Sequence, residues 1–162
     1  MLYLTHTRPD ISFAVHKCAR HTHRPRTCHE EAILRICRYL QGTKEMGLIY
    51  KPTGTLEVDC YVDADFAGLW GTEDSQDPVC VRSRTGYVIK VARCPVMWVS
   101  KLQTEIALST LHAEYVALSQ SLRDLLPFKE LLKEMTEALD LKSEGQKFVS
   151  KSKVFEDNQG AI

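Results

Sequence analysis

The sequence predicts an α/β fold in which three antiparallel strands are followed by a long helix and a further strand. Polar and apolar residues alternate over residues 57–65, 79–91 and 95–101, and the short separations between these strands favour an antiparallel meander. From Glu105 onward, apolar residues recur every three or four positions, which is typical of an amphipathic helix. β-Branched and aromatic residues return at 153–156 and predict the last strand.

Two helices are predicted before these elements. Thr7 can cap the first helix, with Pro9 tolerated in its first turn. Thr27 and Glu30 have the spacing of a capping box, which predicts the start of the second helix. Gly42 is suited to end that helix, because glycine adopts the left-handed conformation common there.

A domain boundary is predicted just after the helical part. Residues 47–50 are expected to form a short strand, and the segment Lys51-Pro52-Thr53-Gly54 that follows has the composition of a turn or linker. The sequence therefore predicts a helical segment over residues 1–50 and a second domain over residues 51–162.

The composition of the 162-residue chain, 26% charged and 44% hydrophobic, is that of a soluble globular protein. No apolar run approaches the length of a membrane span, and the first residues lack a signal-peptide core. We therefore expect an intracellular protein, cytoplasmic or nuclear, with no membrane partner. The six cysteines show no paired C-x-x-C spacing, so we expect reduced thiols and no disulfide partner.

Basic residues are concentrated in the first part of the chain. Residues 1–50 contain eight Lys and Arg against four Asp and Glu, whereas the rest contains thirteen against seventeen. A basic segment beside an acidic one fits a polyanion held near a cation site. Arg35 and Arg38, on the exposed side of the second predicted helix, are candidates for contacts with phosphate, and an ordinary solvated surface is the alternative.

Three acidic residues belong to three different predicted elements. Asp63 lies near the end of the first strand, Glu114 lies at the edge of the apolar stripe of the long helix, and Asp157 ends the last strand. Asp65 shares a face of its strand with Asp63, because side chains alternate with a period of two. Three carboxylates that converge at one end of a sheet outline a two-metal site for phosphodiester hydrolysis. Taken singly, each acid is equally consistent with a solvated surface group.

Eight short segments resemble, in order, the copia type of long-terminal-repeat retrotransposon polyprotein, from the end of its reverse transcriptase into its RNase H domain. These segments are Thr7-Arg-Pro-Asp-Ile-Ser-Phe-Ala-Val15, Arg38-Tyr-Leu-Gln-Gly-Thr43, Asp63-Ala-Asp-Phe-Ala-Gly68, Arg84-Thr-Gly-Tyr87, Trp98-Val-Ser-Lys101, Ala107-Leu-Ser-Thr110 with Ala113-Glu-Tyr-Val-Ala-Leu118, and Asp157-Asn-Gln-Gly-Ala-Ile162. The resemblance implies an RNase H-like mixed sheet whose last strand is parallel to the first. It also makes residues 1–50 the thumb- or connection-like end of the reverse transcriptase.

The resemblance implies an activity, hydrolysis of the RNA strand of an RNA–DNA hybrid with two Mg²⁺ or Mn²⁺ ions. Asp63, Glu114 and Asp157 correspond to the family's catalytic metal ligands, with Asp63 expected to bridge both ions and Asp65 the weaker candidate. The implied partners are the hybrid and the remainder of the Pol polyprotein, within the virus-like particle of the element. Three neighbouring polar residues are candidates for contacts with phosphate or the 2′-hydroxyl group: Ser109, Thr110 and Asn158.

The chain also departs from the family pattern. The family has an acid two residues before its catalytic glutamate, where this chain has His112. A further strand, a helix and a fourth acid of the RNase H fold would lie beyond Ile162, and the polymerase residues would lie before Met1, so we expect a fold that is incomplete at its C-terminus. Two alternatives to a working nuclease segment stay open: a catalytically inactive relic of an element, and a non-catalytic nucleic-acid-binding or tether domain.

Overall fold

The computed structural model describes residues 1–52, 57–71, 76–139 and 152–158. The chain forms two compact units, Met1–Ile49 and Tyr50–Ile162, and each contains its own cluster of buried apolar side chains. Among the helices in the described ranges, none combines the length and apolar character that a bilayer crossing requires.

The first unit is helical. Helix α1 spans Ser12–Ala19 and helix α2 spans Thr27–Gly42, and two 3₁₀ turns, Leu2–His6 and Pro9–Ile11, precede them. Residues 47–50, expected to be a short strand, form no strand. The core of the unit consists of three buried residues with Ala14, Cys18 and Leu40 packed around them: Ile11, Val15 and Ile36.

Both predicted helix starts in this unit are displaced. Thr7 does not cap a helix, because its hydroxyl donates to the carbonyl of Leu4 at 3.3 Å and α1 begins only at Ser12. At α2, Thr27 is the first helical residue rather than the cap. The N–H of the preceding residue, Arg26, donates to Nδ1 of His29 at 3.0 Å. A histidine ring therefore replaces the carboxylate of Glu30 as the reciprocal acceptor of the capping box.

A hydrogen-bond network joins two of the family-like segments in this unit. The guanidinium of Arg8 donates to the carbonyl and the hydroxyl oxygen of Thr43, at 3.1 and 2.9 Å. It also donates to both carboxylate oxygens of Asp10, at 3.0 and 2.7 Å, and these bonds hold the pKa of Asp10 below its usual range. The Tyr39 hydroxyl donates to the same carboxylate at 2.9 Å. The network ties the segment before α1 to the end of α2.

The second unit contains a four-stranded sheet in the order β3-β2-β1-β4. The strands are β1 Val58–Asp65, β2 Arg84–Val91, β3 Cys94–Leu102 and β4 Ser152–Phe155. β2 is antiparallel to both β1 and β3, whereas β4 is parallel to β1. The mixed sheet expected from the sequence is therefore confirmed, and it is compatible with an RNase H-like fold.

One long helix, α3 Thr110–Ala138, packs on one face of this sheet. Apolar residues of β1 and β2 form the core together with residues of α3, namely Val58, Cys60, Val62, Tyr87, Ile89, Ala117 and Leu125. Ala113, Ala117 and Ser121 have no exposed surface. Because these side chains are small, the helix backbone can approach β1 closely, which determines where the first turns of α3 lie.

The long helix starts later than the periodicity predicted. The apolar repeat begins at Glu105, but α3 begins after Ser109, whose hydroxyl oxygen accepts from the N–H of His112 at 3.1 Å. In return, Nδ1 of His112 accepts from the N–H of Leu108 at 3.3 Å. This reciprocal pair ends the preceding loop and fixes the start of the helix.

Pro127 lies inside a continuous α3. A proline removes one backbone N–H, so the carbonyl four residues earlier, that of Arg123, loses its usual donor. Both residues are exposed, so water can satisfy that carbonyl. The packed face of the helix is therefore undisturbed, and the interruption is tolerated.

The N-terminal part of the second predicted strand adopts another structure. Pro78–Val81 forms a 3₁₀ turn, which Asp77 caps by accepting from the N–H of Val79 at 2.9 Å, and β2 begins only at Arg84. The cysteines are divided between the core and the surface. All six thiols are free; Cys28 and Cys37 are exposed, and the buried ones are Cys60, Cys80 and Cys94.

The turn between β2 and β3 is built from residues that disfavour it. Val91 pairs with Cys94, so the turn contains only Ala92 and Arg93, and both have positive φ angles, 48° and 68°. Two-residue hairpin turns of this type favour Asn-Gly because other residues are strained there. The exposed Arg93 therefore carries avoidable strain.

We expect Arg93→Gly to raise the free energy of unfolding by about 1 kcal/mol, because glycine adopts a positive φ without the steric penalty. Chemical denaturation of the two proteins measures the difference. Arg93→Ala is the matched control, since it removes the same side chain and keeps the strained conformation. An equal gain in both variants would show that the strain is not the cause.

Candidate metal centre

The pleat of β1 separates two kinds of side chain. Val58, Cys60 and Val62 are buried on the face that packs against α3, whereas Asp63 and Asp65 are exposed on the other face. Asp63 lies near the C-terminal end of β1, which is an inner strand of the sheet.

Parallel pairing brings Asp157 beside Asp63. Tyr61 of β1 pairs with Phe155 of β4, and their rings stack with centroids 4.7 Å apart. The two strands run in the same direction, so the residues two positions further on, Asp63 and Asp157, lie side by side. Asp157 follows the end of β4 and is exposed.

Glu114 completes the group from the first turns of α3. Its side chain is buried, with only 6% of the residue surface exposed. One carboxylate oxygen from each of Asp63, Glu114 and Asp157 lies within 4.8 Å of the other two. In the part of the chain that the structure describes, no other group of three or more acidic, histidine or cysteine side chains converges in this way.

A fourth carboxylate, that of Glu156, lies near Glu114. Burial, and then the charges of Glu156, Asp63 and Asp157, raise the pKa of Glu114 from 4.5 to about 7. Oε2 of Glu114 and Oε2 of Glu156 are both buried with no hydrogen-bond donor among the described residues. Ionised carboxylates only accept hydrogen bonds, so two that face each other have no donor between them unless one is protonated. The site therefore concentrates negative charge that only a proton or a cation can neutralise.

Asp65, the weaker candidate from the same strand, is outside the group. Its carboxylate folds back over the turn that follows β1, so closely that a β-carbon at Gly68 would overlap it. Ala67 in the same turn has a positive φ of 48°. This local turn explains why two acids on one strand face do not both belong to the cluster.

The predicted polar contacts with nucleic acid lie at two places near the acids. Ser109 and Thr110 are exposed at the start of α3, where the Ser109 hydroxyl acts as the helix cap. Asn158 follows the cluster in sequence, and its N–H donates to Oε1 of Glu156 at 3.3 Å. Each of the three is therefore close in sequence to one of the clustered carboxylates.

Two predicted residues belong to the first unit, and two residues of the second unit were not predicted. Arg35 and Arg38 are exposed on α2, in the first unit. Glu156 was not predicted from the sequence, although an acid that alternation places on the helix-facing side of β4 was a usable signal. Gln103 was not predicted either; it is a fully buried polar residue in the loop after β3, for which local sequence contains no signal.

The donor set fits a hard divalent cation. Carboxylate oxygens are the ligands that Mg²⁺ and Mn²⁺ prefer. Oxygens on opposite sides of one such ion are about 4.2 Å apart, and the three clustered oxygens span 4.8 Å. Oε2 of Glu114 is buried with no hydrogen-bond donor among the described residues, and a cation would neutralise it. Asp63, Glu114 and Asp157 are thus the residues that could hold such ions.

Comparison with known proteins finds relatives among transposon polyproteins. The "Retrovirus-related Pol polyprotein from transposon RE2" of Arabidopsis thaliana is 36% identical over 133 residues, 82% of this chain and 9% of that protein. Its counterpart from transposon RE1 of the same plant is 37% identical over 133 residues, 82% of this chain and 8% of that protein. This chain thus spans less than a tenth of either polyprotein.

A relative of different description aligns over most of its own length. "Secreted RxLR effector protein 161" of Plasmopara viticola is 36% identical over 124 residues, which cover 76% of this chain and 82% of that protein. No protein-family model matches the chain, and no solved structure matches it.

The pKa of Glu114 makes the stability of the metal-free chain depend on pH. Because the folded-state pKa is raised from 4.5 to about 7, protonation of Glu114 favours the fold at low pH, and this contribution is lost as the pH rises through that range. We therefore expect Glu114→Gln to be more stable than the original chain at about pH 8, by about 2–3 kcal/mol. Urea denaturation in EDTA at a series of pH values measures this difference. Parallel pH profiles for the two proteins would contradict it.

Proposed function

Since this chain belongs to the family of retrovirus-related Pol polyproteins of copia-type transposons, we propose that its second unit is the RNase H part of such a polyprotein. The proposed reaction is hydrolysis of the RNA strand of an RNA–DNA hybrid, with divalent cations held by Asp63, Glu114 and Asp157. The remainder of the polyprotein is the proposed context in which the site works.

A single observation carries this proposal. Three carboxylates from a central strand, a helix and a parallel strand have oxygens within 4.8 Å of one another. Bringing like charges so close destabilises a metal-free fold, so the arrangement is costly unless a cation binds there. A solvated acidic surface would not require one of its members, Glu114, to be buried.

The role of each carboxylate follows from its position. Asp63 belongs to β1, which lies between β2 and β4 and packs against α3, so its carboxylate would be the central ligand of the group. Glu114 and Asp157 would complete the set that holds the divalent cations. Such ions would supply activation of water and stabilisation of the departing 3′ oxygen. The buried side chain of Glu114 also limits the access of bulk water on the core side of the site.

Recognition of the hybrid is assigned to polar and basic groups. The exposed Thr110, with Ser109 and Asn158 close in sequence to the carboxylates, is suited to contact phosphate or a 2′-hydroxyl group, and the 2′-hydroxyl distinguishes RNA from DNA. The exposed Arg35 and Arg38 of the first unit are suited to phosphate contacts that read no sequence.

A second candidate function is to bind nucleic acid or to tether other domains, without catalysis. The observation that favours it is His112, two residues before Glu114, where the resemblance implies an acid. In this chain the His112 ring serves the helix cap and accepts from the N–H of Leu108. Metal binding and cleavage separate the two candidates.

We expect Mn²⁺ or Mg²⁺ at millimolar concentration to raise the midpoint of thermal unfolding by about 5 °C, because binding to the folded state alone stabilises it. Asp63→Asn should abolish this shift and leave the metal-free protein at least as stable as the original, because one repelling charge is removed. Asp65→Asn is the matched control and should retain the shift. A shift that survives Asp63→Asn would contradict the proposed ligands.

We expect the polyprotein segment that contains this site to cleave the RNA strand, and not the DNA strand, of a labelled hybrid in the presence of Mg²⁺. Loss of one ligand removes several kcal/mol of transition-state stabilisation, so Asp63→Asn and Asp157→Asn should each slow cleavage about a thousandfold. Gel analysis of both labelled strands measures this. Metal binding without cleavage would support the tether, and cleavage unaffected by either substitution would place the active site elsewhere.

A further inference from the structure

We propose that Gln103 is a positioning residue for the metal centre, which ties the start of α3 to β2 and so fixes the separation of Glu114 and Asp63. The inference rests on the proposed function, since it concerns the same carboxylates. It adds a residue that is not itself a metal ligand.

Gln103 makes three hydrogen bonds to two elements. Its side-chain nitrogen donates to the carbonyl of Ala113 at 2.9 Å and to the hydroxyl oxygen of Thr85 at 3.1 Å. Its backbone N–H donates to the carbonyl of Ser83 at 2.9 Å. Gln103, Thr85 and Ser83 have no exposed surface, so none of these bonds competes with solvent.

One side-chain bond ends at the residue before a proposed ligand, and the other ends on the strand beside a second ligand. Ala113 immediately precedes Glu114 on α3. Thr85 pairs across the sheet with Ala64, the residue that follows Asp63 on β1. A single amide group therefore links the backbone that carries one ligand to the strand that flanks the other.

The chemistry of the side chain suits this role. The nitrogen of a glutamine amide has two N–H donors, and here they serve two acceptors on different elements. Glutamate offers no donor at this position when ionised, and methionine fills the space without any. Oε1 of Gln103 is buried with no partner among the described residues, which is unfavourable. A residue whose only task was to fill the core would better be apolar.

The linkage opposes a force inside the site. Glu114 faces the carboxylates of Asp63, Asp157 and Glu156, and their mutual repulsion favours movement of the first turns of α3 away from the sheet. Gln103 holds those turns against β2. We therefore expect its loss to widen the ligand separation and to weaken metal binding about 10- to 100-fold, as the loss of groups that orient metal ligands does elsewhere.

The test compares two variants that each lose hydrogen bonding that connects β2 with α3. Gln103→Met removes the bonds beside Glu114. Tyr87→Phe removes the bond that the Tyr87 hydroxyl donates to Asp124, which is ten residues further along the helix. The free Mn²⁺ concentration during titration, measured by electron paramagnetic resonance, gives the dissociation constant, and thermal unfolding in EDTA gives the metal-free stability.

We expect both variants to unfold at lower temperature and only Gln103→Met to bind Mn²⁺ at least tenfold more weakly. If Gln103→Met does not fold, Thr85→Val removes one of the two side-chain bonds with little change in shape and should weaken binding to a smaller extent. Equal Mn²⁺ affinity of the original chain and the folded variant would overturn the positioning role while leaving the metal centre intact. An original chain that binds no Mn²⁺ would overturn both.

Discussion

The parallel pairing of β4 with β1 is the constraint on which the second unit depends. Val58 to Tyr61 pair with Ser152 to Phe155, and this register places Asp157 beside Asp63. Neighbouring parallel strands need a crossover, and α3 lies between β3 and β4 in sequence and packs against β1. The small side chains of α3 then set how near Glu114 approaches the two aspartates. A shift of one residue in this register would turn Asp157 to the opposite face of the sheet.

Stability and function oppose each other at this end of the sheet. The apolar cluster of β1, β2 and α3 stabilises the unit, whereas the convergent carboxylates destabilise it whenever they are ionised without a cation. Both contributions involve α3, because the helix that completes the core also buries the carboxylate of Glu114. The raised pKa and the donor-free oxygen of Glu114 are consequences of that single placement. In the proposed function, cation binding offsets this repulsion.

Sequence patterns predicted the elements well where one face of an element is buried. Alternation located β1, β2 and β3, because strand periodicity records which side faces the core. β-Branched and aromatic residues located β4, and the family-like segments implied its parallel pairing. The misses depend on contacts that local sequence does not encode. The helix start at Ser109 depends on a histidine acceptor, and the hydrogen bonds of Gln103 depend on elements distant in sequence. Glu156 is the exception, because the alternation of β4 was a usable signal for it.

The most direct test of the central claim, that Asp63, Glu114 and Asp157 form one cation site, is to locate the ion itself. Anomalous diffraction from crystals soaked in MnCl₂ would do so at the manganese absorption edge. We expect an anomalous peak at about 2.2 Å from oxygens of Asp63, Glu114 and Asp157. Crystals that show no peak there, or show one only at distant surface carboxylates, would contradict it.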